Sequence, residues 1–440
     1  MHAFTPLLND STPERKPPGA GWWFCFSRHL LMFLGCFCLL PGCQRPPARD
    51  NAPVSLRILV PGGSIRVAVN AALEELSREH PELQVEVITA PGKDYYVKGL
   101  AMITSGTQLD LLWVGQGFGL FSHRGALYDL SELVAGDPDF DLSAYDPTVV
   151  DWYRYEERLY GIPYGVDVQA IIYNRDAFEL AGLPVPDDGW TFEDYLQTAR
   201  RLSQLARENR ELPPYGAGVD LLRPFYFDLQ LVGGDDGRFG MNGPAGREWL
   251  ALNYEVLEEE RSFLRVGAQG TLDRLGEFVQ QRVVMAEVFS WDLPELKRRA
   301  PFRWDIVANP RTRAGRRVAW GSSSGFSMVA ASRHPREAWL ILKHLVAADF
   351  QRGVFSTTIP TITALHEEYL AANGTPPEHL RVFLETLPYL EPTPRTPSMT
   401  EVASEWNYWT QLALQGKQEP SDTLRRAEQS INRILEDQAR

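Results

Sequence analysis

Val54, Leu56, Ile58 and Val60 recur at every second position, the period of a β-strand. Pro61-Gly62-Gly63-Ser64 breaks that run. Residues 67–80 then read as an amphipathic helix with Val67, Leu73 and Leu76 among its apolar positions. Pro81-Glu82 ends the helix, and 83–88 reads as a second strand. A strand–helix–strand order is the mark of an α/β domain.

The alternation continues down the chain. Residues 95–105 look helical, and 109–114 form a buried strand after a Gly-Thr-Gln turn. A loop rich in Asp and Pro follows 125–130 and ends near Pro147. Strands are expected at 168–173, 285–289 and 304–308, and helices at 191–206, 246–259, 272–280, 335–348 and 421–437. Thr191 is the expected N-cap of the first of these helices, with Asp194 three residues on as an imperfect capping box. No repeat of 20–50 residues is present, which argues against solenoids and propellers.

Upstream of this pattern, Arg28-His29 leads into an apolar run at 30–40 and then Leu40-Pro41-Gly42-Cys43. Eleven apolar residues suit a signal core. A spanning helix needs roughly 20 residues, which only the whole of 21–42 would supply. The segment resembles a bacterial lipoprotein signal. The expectation is a cleaved leader at 1–42, a lipid-bearing Cys43 and a tether over 43–53, with an uncleaved anchor as the alternative. All four cysteines (Cys25, Cys36, Cys38 and Cys43) lie here, so the body has no thiol or disulfide chemistry. Beyond residue 42 the chain keeps 41 basic and 55 acidic side chains, a net charge of −14. That balance disfavours nucleic acid, whose phosphates call for basic clusters. It argues weakly against anionic ligands. The remaining length suggests two domains.

The chain carries few catalytic patterns. There is no phosphate loop, no Gly-x-Ser-x-Gly elbow and no His-Glu-x-x-His arrangement. No metal or cofactor is expected. Ser322-Ser323-Ser324-Gly325 reads as a turn or ligand-binding segment rather than a nucleophile. A glycosidase needs two carboxylates at a defined separation, and Asp167 and Asp292 are the first pair to examine for that role. Their plainer roles are a hydrogen bond to a ligand hydroxyl or turn, and a helix cap. Aromatic residues in polar or Gly-rich settings stand out more: Trp113 beside Gly115-Gln116-Gly117-Phe118, Tyr164, Tyr226, Trp291 and Trp406. Flat rings flanked by amides, carboxylates and hydroxyls suit a sugar, which has apolar faces and a polar rim.

The block Leu159-Tyr160-Gly161-Ile162-Pro163-Tyr164-Gly165-Val166-Asp167 runs on to Ile172-Tyr173-Asn174-Arg175-Asp176 and Phe178. Ala181-Gly182-Leu183 and Trp190-Thr191-Phe192-Glu193-Asp194 come next. Together they resemble the extracellular solute-binding proteins of sugar ABC importers, the group of maltose- and multiple-sugar-binding proteins. Stretches around 278–291, 320–345 and 406–434 agree, although Gln281-Arg282 stands where the family has Gly-Lys.

The resemblance implies a two-lobed periplasmic-binding-protein fold, α/β, with an interlobe cleft and hinge strands near 167–169 and 322–325. Lobe one would hold 54–167 and 325–365, and lobe two 168–324 and 366–440. The implied ligand contacts are Ser64, Trp113, Gln116, Phe118, Tyr164, Asp167, Tyr226, Trp291, Asp292, Ser323 and Trp406. The expected function is capture of a carbohydrate, as a monomer held outside the cytoplasm, and delivery to membrane permeases. Two alternatives stand beside it. One is a tethered glycoside hydrolase. The other is the same fold taking a non-sugar solute such as a glycerol phosphodiester, polyamine, peptide or metal complex.

Overall fold

A computed structural model describes residues 53–233, 237–267, 273–391 and 396–438. The leader, Cys43 and the tether up to residue 52 lie outside the described residues.

The opening unit is strand Val54–Pro61, helix Ser64–Glu79 and strand Leu83–Ala90, the two strands parallel with Val54 opposite Leu83. The helix begins earlier than its apolar spacing suggests. Gly63 adopts φ 74°, a left-handed turn that side-chain-bearing residues rarely take, and this swings the chain from strand into helix. The buried face is Val69, Leu73 and Leu76, while Val67 is 63% exposed. Helix Gly92–Thr104 leads to strand Leu111–Val114, which lies parallel to the first strand. Leu56, Ile58, Leu112, Phe121, Phe326 and Leu342 belong to one core, that of the first lobe.

Two long strands carry the chain between lobes. Ile162–Asn174 is thirteen residues long and buried throughout. The expected strand at 168–173 is only its second half. Pro163 and Gly165 hide the first half by reading as breakers. Here Gly165 gives close approach: a Cβ on it would sit 2.5 Å from the Thr358 side chain. This first half pairs antiparallel with Ala319–Met328, Asp167 opposite Ser322, with a register shift between Ser324 and Gly325. The other end of Ala319–Met328 pairs with Leu111–Val114. The second half of Ile162–Asn174 pairs with Val283–Phe289 on one side and Trp304–Val307 on the other. The result is one hydrogen-bonded path of strands shared by both lobes.

In the second lobe, Tyr215–Val219 lies parallel to both Val283–Phe289 and Phe263–Arg265. Alternate residues of the crossing strand serve two cores. Ile171 and Tyr173 join Phe192, Trp249 and Trp406. Ala170 and Ile172 join Phe278, Leu296 and Phe383. A strand covered on both faces reads as an unbroken apolar run, which is why this segment lacks clean alternation.

Helix Phe192–Glu208 starts at a complete capping box. Thr191 N–H donates to Asp194 Oδ2 at 2.9 Å, and Asp194 N–H donates to Thr191 Oγ1 at 3.2 Å. The helix packs so closely on Tyr215–Val219 that a Cβ on Gly216 would lie 1.9 Å from the Ala199 carbonyl oxygen. The expected 246–259 helix is Pro244–Tyr254 followed by a π-helical turn at Glu255–Glu259. Helices Met399–Leu414 and Pro420–Gln438 close the chain.

Candidate functional site

A cleft of about 890 Å³ opens where loops at strand ends meet helix Met399–Leu414. Tyr96, Gln116 and Leu120 line it from one side, and Arg223, Phe225, Gln230, Trp320, Glu391, Trp406 and Asn407 from the other. Gly117 makes room for the first of these, since a Cβ there would meet the Tyr96 ring at 2.3 Å.

Of the residues expected from sequence, Gln116 and Trp406 line this cleft. The Trp406 ring stacks on Trp249 with centroids 5.5 Å apart and leans on Phe239, so little of it is left for the cleft. Trp291 is 38% exposed and stacks on Phe289 at 4.4 Å. It meets the cleft-lining Trp320 edge-to-face at 6.3 Å. Ser64 is exposed at the start of its helix and is not among the cleft-lining residues.

The others stand behind the walls. Trp113 lies under Tyr96, with ring centroids 6.4 Å apart, and its Nε1 donates to the Tyr164 hydroxyl at 3.1 Å. Tyr164 is buried against Phe326, and Phe118 is a core residue packed on Tyr153. Tyr226 sits in the second lobe's core rather than in the cleft, stacked on Phe192 at 4.7 Å. Its hydroxyl has no hydrogen-bond partner among the described residues, and burial drives its pKa well up.

Ser323 Oγ donates to the Gly165 carbonyl at 2.9 Å and lies 3.1 Å from the Tyr153 hydroxyl, tying the two crossing strands together. Asp167 is buried beside them and accepts from Ser290 Oγ at 3.0 Å. Burial pushes its pKa up to about 7; the hydroxyls of Ser290 and Thr358 oppose this, and the charge of Asp292 adds to it. Asp292 accepts from Arg274 and from the Phe289 amide, both at 2.8 Å. Burial raises its pKa, against the pull of Arg274. Neither carboxylate is among the residues that line this cleft. Among the described residues, no group of three or more His, Cys, Asp or Glu is placed to hold a metal ion.

Sequence reasoning passed over Tyr96, Trp320, Arg223, Glu391 and Asn407. Trp320 had a signal in its position directly before the Gly-Ser run. Arg223 had none, because its partner Glu287 is 64 residues away.

Two α/β lobes joined by paired crossing strands, with a cleft between wall segments from distant parts of the chain, define a two-lobed binding protein. The profile described as "Bacterial extracellular solute-binding protein" matches residues 62–352, and the chain belongs to that family. A binding protein of Brucella abortus (strain 2308) is 24% identical over 365 residues, 81% of this chain and 87% of that one. The multiple sugar-binding protein of Streptococcus mutans is 20% identical over 339 residues, 70% of this chain and 76% of that one. An ABC substrate-binding protein of Listeria monocytogenes, solved in complex with cycloalternan, superposes with a TM-score of 0.73 at 19% identity. That match covers 87% of this chain and 99% of the other.

Proposed function

We propose that this chain is the substrate-binding component of an ABC importer, capturing a carbohydrate, an oligosaccharide, between its lobes and delivering it to membrane permeases. The observation that carries this reading is the lining of the cleft. Trp320 and Tyr96, with the little of Trp406 that is exposed, stand beside the uncharged hydrogen-bonding side chains Gln116, Gln230 and Asn407. Rings cover the C–H faces of a sugar while amides bond its hydroxyls. The relatives support the same ligand class: one is a multiple sugar-binding protein, and another was solved with cycloalternan.

In this reading 54–167 with 325–365 closes on 168–324 with 366–440, about the paired strands at Asp167 and Ser322. Closure brings Trp291 and Ser64 toward the ligand held by Gln116 and Trp406. Trp113, Phe118, Tyr164, Asp167, Tyr226, Asp292 and Ser323 brace the walls. Residues 1–42 act as a lipoprotein signal, and acylated Cys43 holds a monomer at the outer face of the cell membrane. Two acyl chains suffice for stable anchoring.

The test is titration of the detergent-solubilised chain with neutral oligosaccharides, maltotriose and cycloalternan among them, followed by tryptophan fluorescence and calorimetry. Saturable binding without turnover is expected. Hydrolysis of the same sugars would overturn the reading, as would no saturable binding across the panel.

A further inference from the structure

Arg223 is one of two charged side chains lining the cleft among the described residues, the other being Glu391. It follows strand Tyr215–Val219 in a loop, while Glu287 lies on the neighbouring strand Val283–Phe289. The two form a fork: Arg223 Nε donates to Glu287 Oε1 and Nη2 to Oε2, both at 2.7 Å. Their exposure is unequal. The Glu287 side chain is 7% exposed and that of Arg223 is 30% exposed, so the carboxylate stands behind and the guanidinium in front. Nη1 makes no hydrogen bond within the protein among the described residues. A cleft-lining arginine with one committed edge keeps one amine free to donate a hydrogen bond.

Its charge, however, is already answered. Beside it Arg265 pairs with Asp220 at 3.3 Å, so this half-buried group holds two acids against two bases. Glu391, the other charged liner, faces Arg316 at 3.7 Å. No cationic side chain lining the cleft is without an acidic partner among the described residues. A phosphate or carboxylate ligand would have to displace Glu287 from its fork or sit against that fixed negative charge. A hydroxyl needs only the donor, and a charge-assisted donor is a strong one.

We propose that Arg223, held by Glu287, is a charge-neutral donor that selects an uncharged polyhydroxyl ligand over an anionic one. This rests on the reading of the cleft as the solute site, and it names the chemical class that the site rejects. Glu287 is a positioning residue, acting through Arg223.

Calorimetric titration of the full chain with maltotriose and with sn-glycerol 3-phosphate tests it, in the wild type, in Glu287→Gln and in the double variant Arg223→Gln/Glu287→Gln. The wild type is expected to bind the sugar and to show no saturable binding of the phosphate at millimolar concentration. E287Q keeps the side-chain volume and uncovers the arginine charge, so its affinity for the phosphate rises by about tenfold or more, and the gain shrinks with added salt. The double variant removes donor and charge together. It loses about tenfold in sugar affinity, the equivalent of one charge-assisted hydrogen bond, and gains nothing for the phosphate.

Wild-type binding of the phosphate as tight as that of the sugar would overturn the proposal. So would an E287Q variant that folds, by circular dichroism, and gains no affinity for the anion. If E287Q does not fold, unchanged sugar affinity in the double variant overturns it. A gain of phosphate binding by E287Q alongside no sugar binding by any of the proteins would leave the charge balance standing and bring down the carbohydrate reading instead.

Discussion

Replacing Asp167 by Asn should change how stability depends on pH. The carboxyl is buried at the crossing of the two lobes and holds its proton in the folded state up to about pH 7, against an ordinary value of 3.8. An unfolded chain releases that proton near the ordinary value. Between the two, the folded state binds more protons than the unfolded one, so stability falls as pH rises. The slope from this group is at most about 1.4 kcal/mol per pH unit, and the full loss by pH 8 is about 4 kcal/mol. The sign is opposite to that of a salt-bridged carboxylate, which stabilises as pH rises. Asn fits the same space and still accepts from Ser290 Oγ, but has no proton to lose. Urea unfolding of both proteins at about pH 4.5, 6 and 7.5 reads the difference directly. Asp167→Asn should gain on the wild type steadily across that range. A stability difference that stays constant at the three pH values would refute the argument, because it would mean that Asp167 ionises in the folded protein as it does in water.

Other substitutions probe the cleft, the packing and the leader. Trp320→Ala should lower sugar affinity by about 2 kcal/mol, roughly thirtyfold, as measured by calorimetry, because it removes both a cleft wall and the ring on which Trp291 abuts. Thr191→Ala opens the capping box and should cost about 1 kcal/mol, seen as a lower urea midpoint. Gly216→Ala drives a Cβ into the Ala199 carbonyl and should block folding of the second lobe, whereas Gly62→Ala, whose Cβ meets nothing within 4 Å among the described residues, should melt like the wild type by circular dichroism. Cys43→Ser should move the protein from the membrane to the soluble fraction and abolish the acyl mass at the mature N-terminus.

Secondary structure was legible where burial is one-sided or a cap is written in adjacent residues. The opening strand–helix–strand unit and the Thr191–Asp194 box are of this kind. The crossing strand was half legible. Pro163 and Gly165 mimic a loop, and only Thr358, nearly two hundred residues away, explains why glycine is needed there. The site was harder still. Exposure of an aromatic ring depends on which neighbour covers it. Tyr226 and Phe118 were covered by Phe192 and Tyr153, while Tyr96, adjacent to the equally aromatic Tyr95, was left facing the cleft. Polar residues such as Asp167, Asp292 and Ser323 look alike in sequence whether they meet a ligand or bind a neighbouring strand.

The shared strands also set the order in which the molecule can assemble. Leu111–Val114 pairs on one side with the opening strand but waits on the other for Ala319–Met328. The second lobe's core waits still longer, for Val402, Trp406 and Ile431. Neither half can complete itself from contiguous sequence as the chain emerges from the ribosome. Closing such distant pairings is entropically slow. Neither core can close until strand Ala319–Met328 and, for the second lobe, the closing helices have been made, so the two lobes are completed late and by shared segments.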